Sequence, residues 1–282
     1  MKANRLFSFI VILIVYVFAI ILGFVLFNNL HFELWINLLI SDIVATVFVF
    51  IFSVVLKNAS VYDPYWSVQP IVIVIGFSFV NKLNLASILA IVAVCLWGIR
   101  LTINWVYTFK NLYHQDWRYT MLKEKTGKYY IFINFIGIHL VPTLVVYSCI
   151  LPVVYLMHFV SKVNALTIFF FILACFSFVL QGIADIQMHK FRKNKTSNFI
   201  RNGVWKYSRH PNYLGEIMMW WSIGLLVICT FEGKLYLLIG AILNTLLFLF
   251  VSIPMAENHQ RTRKEGFDEY KKVTRMLLPI KK

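Results

Sequence analysis

The stretch GVWKYSRHPNYLGEIMMWWSIGL, residues 203 to 225, places a polar cluster directly before an apolar run that begins at Ile217. A charged side chain at a membrane boundary is costly unless it binds a partner or a ligand. A helix that begins near Pro211 would direct its free N–H groups and its positive dipole end out of the bilayer, which suits an anionic ligand group such as a phosphate or a carboxylate. A basic anchor at the lipid headgroups would explain Arg209 and His210 but not Asn212 and Glu216. We therefore predict a ligand site formed by Arg209, His210, Asn212, Tyr213 and Glu216.

The composition of the chain identifies the setting of this site. Hydrophobic residues make up 60% of the 282 residues, charged residues make up 14%, and the mean hydropathy is +0.74. Soluble domains carry about 25% charged residues, so we expect an all-α polytopic membrane bundle of seven or eight spans with a C-terminal amphipathic cytoplasmic helix. A span needs about 20 helical residues. Apolar runs of that length lie at 6–27, 35–56, 86–109, 131–157, 165–188, 213–231 and 235–254, and a shorter run lies at 68–80.

The basic residues favour eight spans. With the short run counted as a span, 23 of the 27 Lys and Arg residues lie on one side, three lie on the other, and Arg100 lies within a span. By the positive-inside rule the basic side, with both termini, is cytoplasmic. The first run is too long for a secretory signal and lacks a small-residue cleavage site. The net charge of +15 is what short basic segments beside spans produce, so we expect membrane lipids and a lipophilic small molecule as partners, and no nucleic acid.

The acidic residues also gather on the expected cytoplasmic side. Among them only Glu33 and Glu232 fall in the expected outer loops. Chance would have used both faces, so the pattern predicts a membrane-embedded cavity that is open to the cytoplasm. The polar residues on this side are Asp63, Asp116, Arg118, Asp185, Arg192, Asn212, Glu216 and Glu257.

Two of these pairs have a simpler explanation. Asp116 and Arg118 could form a loop ion pair, which contributes little at a surface. Asp185 and Arg192 are seven residues apart and share one helical face, so a role in the cavity and a salt bridge at the helix end are both consistent with their spacing.

Asp42, Arg100 and His139 are further ionisable residues within the apolar runs. Such a group is a functional candidate by default. Arg100 is expected to face the cavity, since Asn104 follows one turn later. Asp42 could satisfy a polar contact with Asn37 or Ser41, and His139 is expected to be a satisfied interior histidine.

Aromatic residues make up 17% of the chain. Trp205, Trp220 and Trp221 lie where an interfacial aromatic belt is expected. Tyr65 and Tyr119 lie around the cytoplasmic entrance, where a tyrosine hydroxyl can hydrogen-bond a carbonyl and donate a proton.

Three blocks give the chain a family resemblance: QGIADIQMHKFR at 181–192, NGVWKYSRHPNYLGE at 202–216 and PMAENHQRTRKEGFDEYKKVTRMLLP at 254–279. They resemble the steroid 5-alpha-reductase superfamily, in particular its bacterial branch of membrane proteins with a reductase-like C-terminal domain (DUF1295-like). DPYWS and QDWRY are similar to patches in that branch. The resemblance implies a bundle in a bacterial plasma membrane that holds NADPH in a cytoplasm-facing cavity, while a lipophilic enone enters from the lipid.

The resemblance also implies roles for residues. Residues 1–130 would form the substrate side and residues 131–282 the cofactor-binding half of one membrane domain. No counterpart is found for the Gln-Glu pair that the steroid enzymes use near the substrate carbonyl, so Asp63 takes its place, with Tyr65 and Tyr119 as further catalytic candidates. Gln181 stands where the steroid enzymes have Asn, and Arg263 stands where they have Tyr. The cofactor set is Arg100, Asp116, Arg118, Gln181, Asp185, Arg192, Arg209, His210, Asn212, Tyr213, Glu216 and Glu257, with His259 and Arg263 closing the site from the tail.

The chemistry expected from this reading is reduction of a conjugated C=C bond. Basic residues at 189–211 could meet the 2′-phosphate of NADPH, and the chain has no GxGxxG turn of the soluble dinucleotide-binding type. The alternative is an S-adenosylmethionine-dependent methyltransferase of the isoprenylcysteine or phospholipid type, which shares the RHPxYxG block. Those enzymes carry paired glutamates in the tail, whereas this chain has Glu257-Asn258. A non-catalytic membrane scaffold or lipid-binding protein is a third class.

Overall fold

The structure is a computed structural model that describes residues 4–158, 163–194, 197–230 and 234–278. Within these ranges the chain is helical and forms no strands, which confirms the predicted all-α bundle. Glu232, expected in an outer loop, and the last residue of the 213–231 run lie outside the described residues. The helices are α1 Arg5–Asn29, α2 Leu34–Val55, α3 Tyr65–Val80, α4 Leu85–Thr108, α5 Trp117–His158, α6 Ala165–Lys193, α7 Pro211–Thr230, α8 Leu235–Arg263 and α9 Phe267–Val273.

Seven of these helices are long and apolar enough to cross a membrane, so the chain is an integral membrane protein. They are all of the described helices except α3 and α9. The short run at 68–80 does form a helix, α3, but its 16 residues rise only about 24 Å. A typical hydrocarbon core is about 30 Å thick. The structure thus gives seven candidate spans, the lower of the two numbers expected.

Two of the long helices contain local irregularities. In α5 the backbone φ of Gly127 is +50°, and this glycine separates the polar first turns from the apolar part of the helix. A π-helical segment, Asn134–Leu140, follows. In α8 a second π-helical segment, Phe248–Ser252, precedes the polar end that carries Glu257. Such wide turns are found most often at functional sites.

The chain divides into two compact units. The first unit is Met1–Val80 with Leu101–Leu151, and the second is Asn81–Arg100 with Pro152–Lys282, so the boundaries fall within α4 and α5.

Hydrogen bonds between distant segments hold the α2–α3 loop of the first unit. The Asn58 amide donates to the carbonyl of Leu112 at 2.8 Å, and the Tyr16 hydroxyl donates to the carbonyl of Val61 at 2.6 Å. Tyr62 shares a hydrogen bond of 2.8 Å with the hydroxyl of Thr143. The loop that carries Asp63 is therefore fixed to α1, α5 and the α4–α5 connection.

Close packing of α6 against α7 organises the second unit. A Cβ atom on Gly215 would lie 2.5 Å from Cγ of Gln181 and 3.0 Å from the carbonyl oxygen of Ser177, so only glycine fits here. This approach brings the middle of α6 against the first turns of α7, where Glu216 lies.

The short helix α9 has the predicted amphipathic character. Phe267 and Tyr270 are buried with Phe199, whose ring stacks on Tyr270 at 4.8 Å, while its charged residues are exposed. Burial raises the pKa of Tyr270 to about 12, against the opposing effect of the nearby arginines. This packing fixes the carboxy-terminal tail within the second unit.

Two tryptophans do not follow the expectation of an interfacial belt. Trp205 and Trp220 are buried, and the Trp205 indole N–H donates to the carbonyl of Ala184 at 3.0 Å. Trp221 is partly buried and donates to Thr245. The belt interpretation is wrong for Trp205 and Trp220, because a buried indole with a polar partner inside the protein can sit at any depth.

Candidate functional site

A buried ionic cluster lies in the second unit and joins α4, α6 and α7. Arg100 donates from Nη1 to Oδ2 of Asp185 at 2.5 Å and from Nη2 to Oε1 of Gln181. Its Nη2 also lies 3.8 Å from Oε2 of Glu216. The three charged side chains are between 5% and 14% exposed. One cation faces two carboxylates, so the cluster has a formal charge of −1.

Two indole groups orient Glu216. Trp97 donates to Oε2 at 2.8 Å and Trp220 donates to Oε1 at 3.0 Å, so each carboxylate oxygen has a neutral donor. The two indole rings contact each other edge to face at 4.8 Å. Donors held in this way stabilise the charged form of a buried carboxylate without cancelling its charge.

The cluster has hydrogen-bonding capacity that the described residues leave unused. Nε of Arg100 and Nε2 of Gln181 are buried and have no partner among them. A buried donor without a partner costs about 1 to 3 kcal/mol. Both atoms therefore favour a ligand group that accepts hydrogen bonds at this position.

A polar stripe continues from the cluster along α6. Gln181, Asp185, His189 and Arg192 are spaced by four, four and three residues, so they share one helical face. Exposure increases along the stripe, from the fully buried Gln181 to the exposed Arg192. Eleven residues of helix span about 16 Å. The stripe thus leads from the surface to the buried cluster.

The basic residues of the RHPN block, expected to bind an anionic ligand group, contact a carboxylate of the protein itself. α7 begins at Pro211, as predicted. However, Arg209 donates from Nε to Oε1 of Glu257 at 2.8 Å, and Nε2 of His210 lies 3.2 Å from the same oxygen. All three residues are buried. Glu257 is therefore the anionic group that the two side chains meet in this structure.

Arg209 also ties the tail to the bundle. Its Nη1 donates to the carbonyl of Thr274, and its backbone N–H donates to the carbonyl of Arg275 at 2.8 Å. Lys271 lies 3.4 Å from Oε2 of Glu257. Arg209 therefore connects the start of α7 to α8 and to the carboxy-terminal tail.

The remaining residues of the predicted cofactor set in the second unit lie on α7 and α8. Tyr213 stacks on His210 at 5.2 Å, and both Asn212 and Tyr213 are half-buried in the first turn of α7. His259 is half-buried on α8, and Arg263 is exposed at its end.

In the first unit, Asp63 forms a second candidate site with α5. The hydroxyl of Tyr119 donates to Oδ1 of Asp63 at 2.5 Å, and Nη2 of Arg118 lies 3.9 Å from the same atom. Burial raises the pKa of Asp63 to about 6, although Arg118 and the hydrogen bonds from Tyr119 and Ser60 oppose the shift. A carboxyl group with this pKa can exchange a proton near neutral pH.

Asp116 and Arg118 form the loop ion pair that was one of the two expectations. Oδ1 of Asp116 lies 2.8 Å from Nε of Arg118 and also accepts the backbone N–H of Arg118, which caps α5. Burial alone would raise the pKa of Asp116, but Arg118 outweighs it and lowers the pKa. The pair places Arg118 beside Asp63.

Tyr65 belongs to a different part of the first unit. Its hydroxyl contacts Oδ1 of Asp42 at 3.4 Å, and the Gln69 amide donates to Oδ2 of the same carboxyl at 2.7 Å. Asn37 instead binds the backbone of the α1–α2 connection, through Leu30 and Phe32. The expectation that Asp42 pairs with Asn37 or Ser41 is therefore wrong, because α3 supplies its partners.

Several site residues were not predicted from sequence. His189 could have been found, since it completes the four-residue spacing along α6. Trp97 and Trp220 lie 119 and 4 residues from Glu216, and the apolar runs around them gave no signal for a polar role. His139 is fully buried, as expected, but it is only half satisfied: its Nδ1 lies 2.9 Å from the carbonyl oxygen of Asn134, whereas its Nε2 has no partner among the described residues.

Comparison with known proteins gives a family and one distant relative. An uncharacterized protein of Schizosaccharomyces pombe is 28% identical over 202 aligned positions, which cover 60% of this chain and 58% of the relative. The chain thus spans less than two thirds of that relative. No solved structure matches. The family described as protein of unknown function (DUF1295) matches residues 49–274, which include both candidate sites. This chain therefore belongs to the DUF1295 family, which is steroid 5-alpha-reductase-like.

Proposed function

We propose that this protein is a membrane-embedded reductase that uses NADPH to reduce the conjugated C=C bond of a lipophilic enone of steroid or isoprenoid type. The observation that carries the proposal is the polar stripe on α6, which ends at the Arg100 cluster. Membership in a reductase- or methyltransferase-like membrane family supports the same reading.

The stripe suits an extended ligand with one charged end. Arg192 is exposed and lies in the last turn of α6 with Lys190 and Lys193. Arginine binds phosphate in a bidentate manner. We therefore assign the phosphate end of the cofactor, and with it the preference for NADPH over NADH, to Arg192.

The buried end of the stripe suits the nicotinamide. Arg100 Nε and Gln181 Nε2 offer two donors to a carboxamide oxygen. NADPH, when bound, supplies a hydride for the β carbon of the enone. The net negative charge contributed by Asp185 and Glu216 would stabilise positive charge on a group held beside Arg100.

The Asp63 site would supply the proton. As hydride adds to the β carbon, electron density moves to the carbonyl oxygen, which requires an acid that donates a proton to it. Protonated Asp63 is suited to this task, since burial keeps its pKa at about 6. Tyr119 positions the carboxyl by its hydrogen bond, and Arg118 lies close enough to stabilise the carboxylate that remains. The resulting enol then takes up a proton from water at its α carbon and returns its O–H proton to the Asp63 carboxylate, which gives the saturated ketone.

The membrane sidedness follows from the same proposal. NADPH is a cytosolic cofactor, so the exposed end of the stripe would face the cytoplasm. That orientation agrees with the excess of basic residues expected there.

A second candidate function is methyl transfer from S-adenosylmethionine, because a net negative cluster also suits a sulfonium. Where those enzymes carry paired glutamates this chain has one carboxylate, Glu257, and Arg209 and His210 already bind it, which argues against methyl transfer.

Ligand binding to the purified protein separates the two functions. NADPH should bind at one site, and Arg192→Ala should weaken NADPH at least tenfold while leaving NADH unchanged. Lys193→Ala is the matched control, since it removes an exposed charge next to Arg192 on a different face of α6. Binding of S-adenosylmethionine without any binding of NADPH would refute the reductase proposal.

A further inference from the structure

The first unit contains an apolar cavity that the proposed NADPH chemistry does not use. It has a volume of about 480 Å³ and lies between α1, α2 and α3. This volume is within the range of small-molecule sites. Of the three predicted catalytic residues, Tyr65 lines it, whereas Asp63 and Tyr119 do not.

The cavity wall is mostly apolar. Aliphatic and aromatic side chains such as Phe27, Leu38 and Phe77 form most of it. The polar residues among them include Ser41, Asp42 and Gln69, each of which is less than 9% exposed. A few polar groups in an apolar cavity are the usual means of orienting a lipophilic ligand.

Two atoms of this polar group lack a hydrogen-bond partner among the described residues. They are Oγ of Ser41 and Oε1 of Gln69, and both are buried. The amide of Gln69 cannot simply turn over, because its Nε2 donates to Oδ2 of Asp42 at 2.7 Å. The fixed amide therefore leaves an acceptor without a donor, which is costly inside an apolar cavity.

We infer that this cavity binds a lipophilic alcohol, with its hydroxyl group between Gln69 and Ser41 and its hydrocarbon part against α1 and α3. A hydroxyl group donates one hydrogen bond and accepts others. It can therefore donate to Oε1 of Gln69 and accept from the Ser41 hydroxyl. A ketone offers no donor for Gln69, and an ether offers none either.

The exposed part of the cavity wall indicates how the ligand enters. Phe24, Phe79 and Val80 line the cavity and are 68%, 83% and 79% exposed. In a membrane protein such apolar surface faces acyl chains. The ligand would enter from the lipid, between α1 and the carboxy-terminal end of α3, with its polar group leading.

Gly76 gives a direct way to fill the cavity. It lines the cavity, and a Cβ atom placed on it would meet nothing within 4 Å. Gly76→Leu should fill part of the cavity, since the first atom of the new side chain meets no neighbour. Gly182→Leu on α6 is the matched control, since its Cβ would also meet nothing within 4 Å and it lies outside the cavity.

The test measures binding of tritiated farnesol and of its methyl ether to the purified full chain in lipid nanodiscs. The ether keeps the carbon skeleton and the acceptor oxygen but loses the donor. Farnesol should bind at one saturable site and at least tenfold more tightly than the ether. Gly76→Leu should abolish binding of both probes, whereas Gly182→Leu should not.

Gln69→Met tests the hydrogen bond separately from the volume. Methionine keeps the length of the side chain and removes the acceptor, so farnesol and the ether should bind this variant with equal affinity. A thermal unfolding curve for each variant shows whether it is folded. Equal affinities for the two probes on the unmodified protein would overturn the inference, as would tighter binding of farnesylamine than of farnesol. The binding assay contains no NADPH, so the result is independent of the proposed reductase activity.

Discussion

Replacing Arg100 with leucine should destabilise the protein by about 3 to 5 kcal/mol, the cost of removing one partner from a buried ion pair. Arg100 is 11% exposed, and its partners Asp185 and Glu216 are 14% and 5% exposed, so solvent cannot replace the lost cation. The variant would leave two buried carboxylates facing each other. Glu216 keeps its two indole donors, and Asp185 therefore loses more.

The double variant Arg100→Leu/Asp185→Leu measures the cost of leaving the buried Asp185 carboxylate without its cation. It removes both members of the 2.5 Å pair, so it should be more stable than Arg100→Leu alone by about 2 kcal/mol, since breaking one partner costs more than removing both. The effects of distant sites add within about 0.5 kcal/mol. If the effects of Arg100→Leu and Asp185→Leu, measured singly, add to that of the double variant within this value, the buried pair is contradicted.

A thiol-reactive dye provides the assay. Once the partly buried Cys95, Cys175 and Cys229 are replaced with alanine, the buried Cys149 is the remaining cysteine, so its reaction reports unfolding during a thermal ramp. Arg261→Leu is the matched control, because Arg261 is 64% exposed and pairs with Asp268 at the surface. Such a pair contributes less than about 1 kcal/mol. If Arg100→Leu unfolds at the same temperature as Arg261→Leu, the cluster is not the buried network described.

Three further predictions follow from other contacts. Gly215→Ala should destabilise by about 1 to 3 kcal/mol in the same thermal assay, because its Cβ would overlap the Gln181 side chain, whereas Gly182→Ala should be close to neutral. If Asp63 acts as the acid, turnover should fall as the pH rises above about 6, since only the protonated form donates; Asp63→Asn should be slow at every pH, and a turnover rate independent of pH would exclude this role. Glu257→Gln removes the charge that binds Arg209, so limited proteolysis should cleave the carboxy-terminal tail faster; an unchanged cleavage rate would show that the backbone contacts of Arg209 are sufficient.

The sequence was most informative where the cause is local. Proline and the polar residues before it predicted a helix that begins at Pro211, and the helix does begin there. The two-residue spacing of Asp116 and Arg118 allowed an ion pair, and the pair forms. The length of the apolar runs predicted the spanning helices for the same reason, since span length depends on the residues of each run alone.

The sequence was less informative about partners from distant segments. Arg209 and His210 indicated an anion, but the pattern did not distinguish a ligand from Glu257, which lies 47 residues beyond His210. Trp220 is equally apolar in a lipid belt and in a protein interior, so its role beside Glu216 depends on how α4 packs against α7. Hydrophobic periodicity identifies spans and does not specify which spans meet.

The Gln69 amide shows the same limit within the first unit. A glutamine in a short apolar run gave no signal, because its function depends on Asp42 on the preceding helix and on the cavity between them. Because Nε2 of Gln69 donates to Asp42, the orientation of the amide is set, and its Oε1 has no partner among the described residues.

Isothermal titration of the purified protein with NADPH, and separately with S-adenosylmethionine, decides whether the polar stripe on α6 holds the cofactor. One NADPH should bind per chain in a saturable manner, Arg192→Ala should weaken this binding at least tenfold, and Lys193→Ala should leave it unchanged. Binding of S-adenosylmethionine alone, or NADPH binding that Arg192→Ala does not alter, would contradict the assignment of the polar stripe on α6 as the cofactor site.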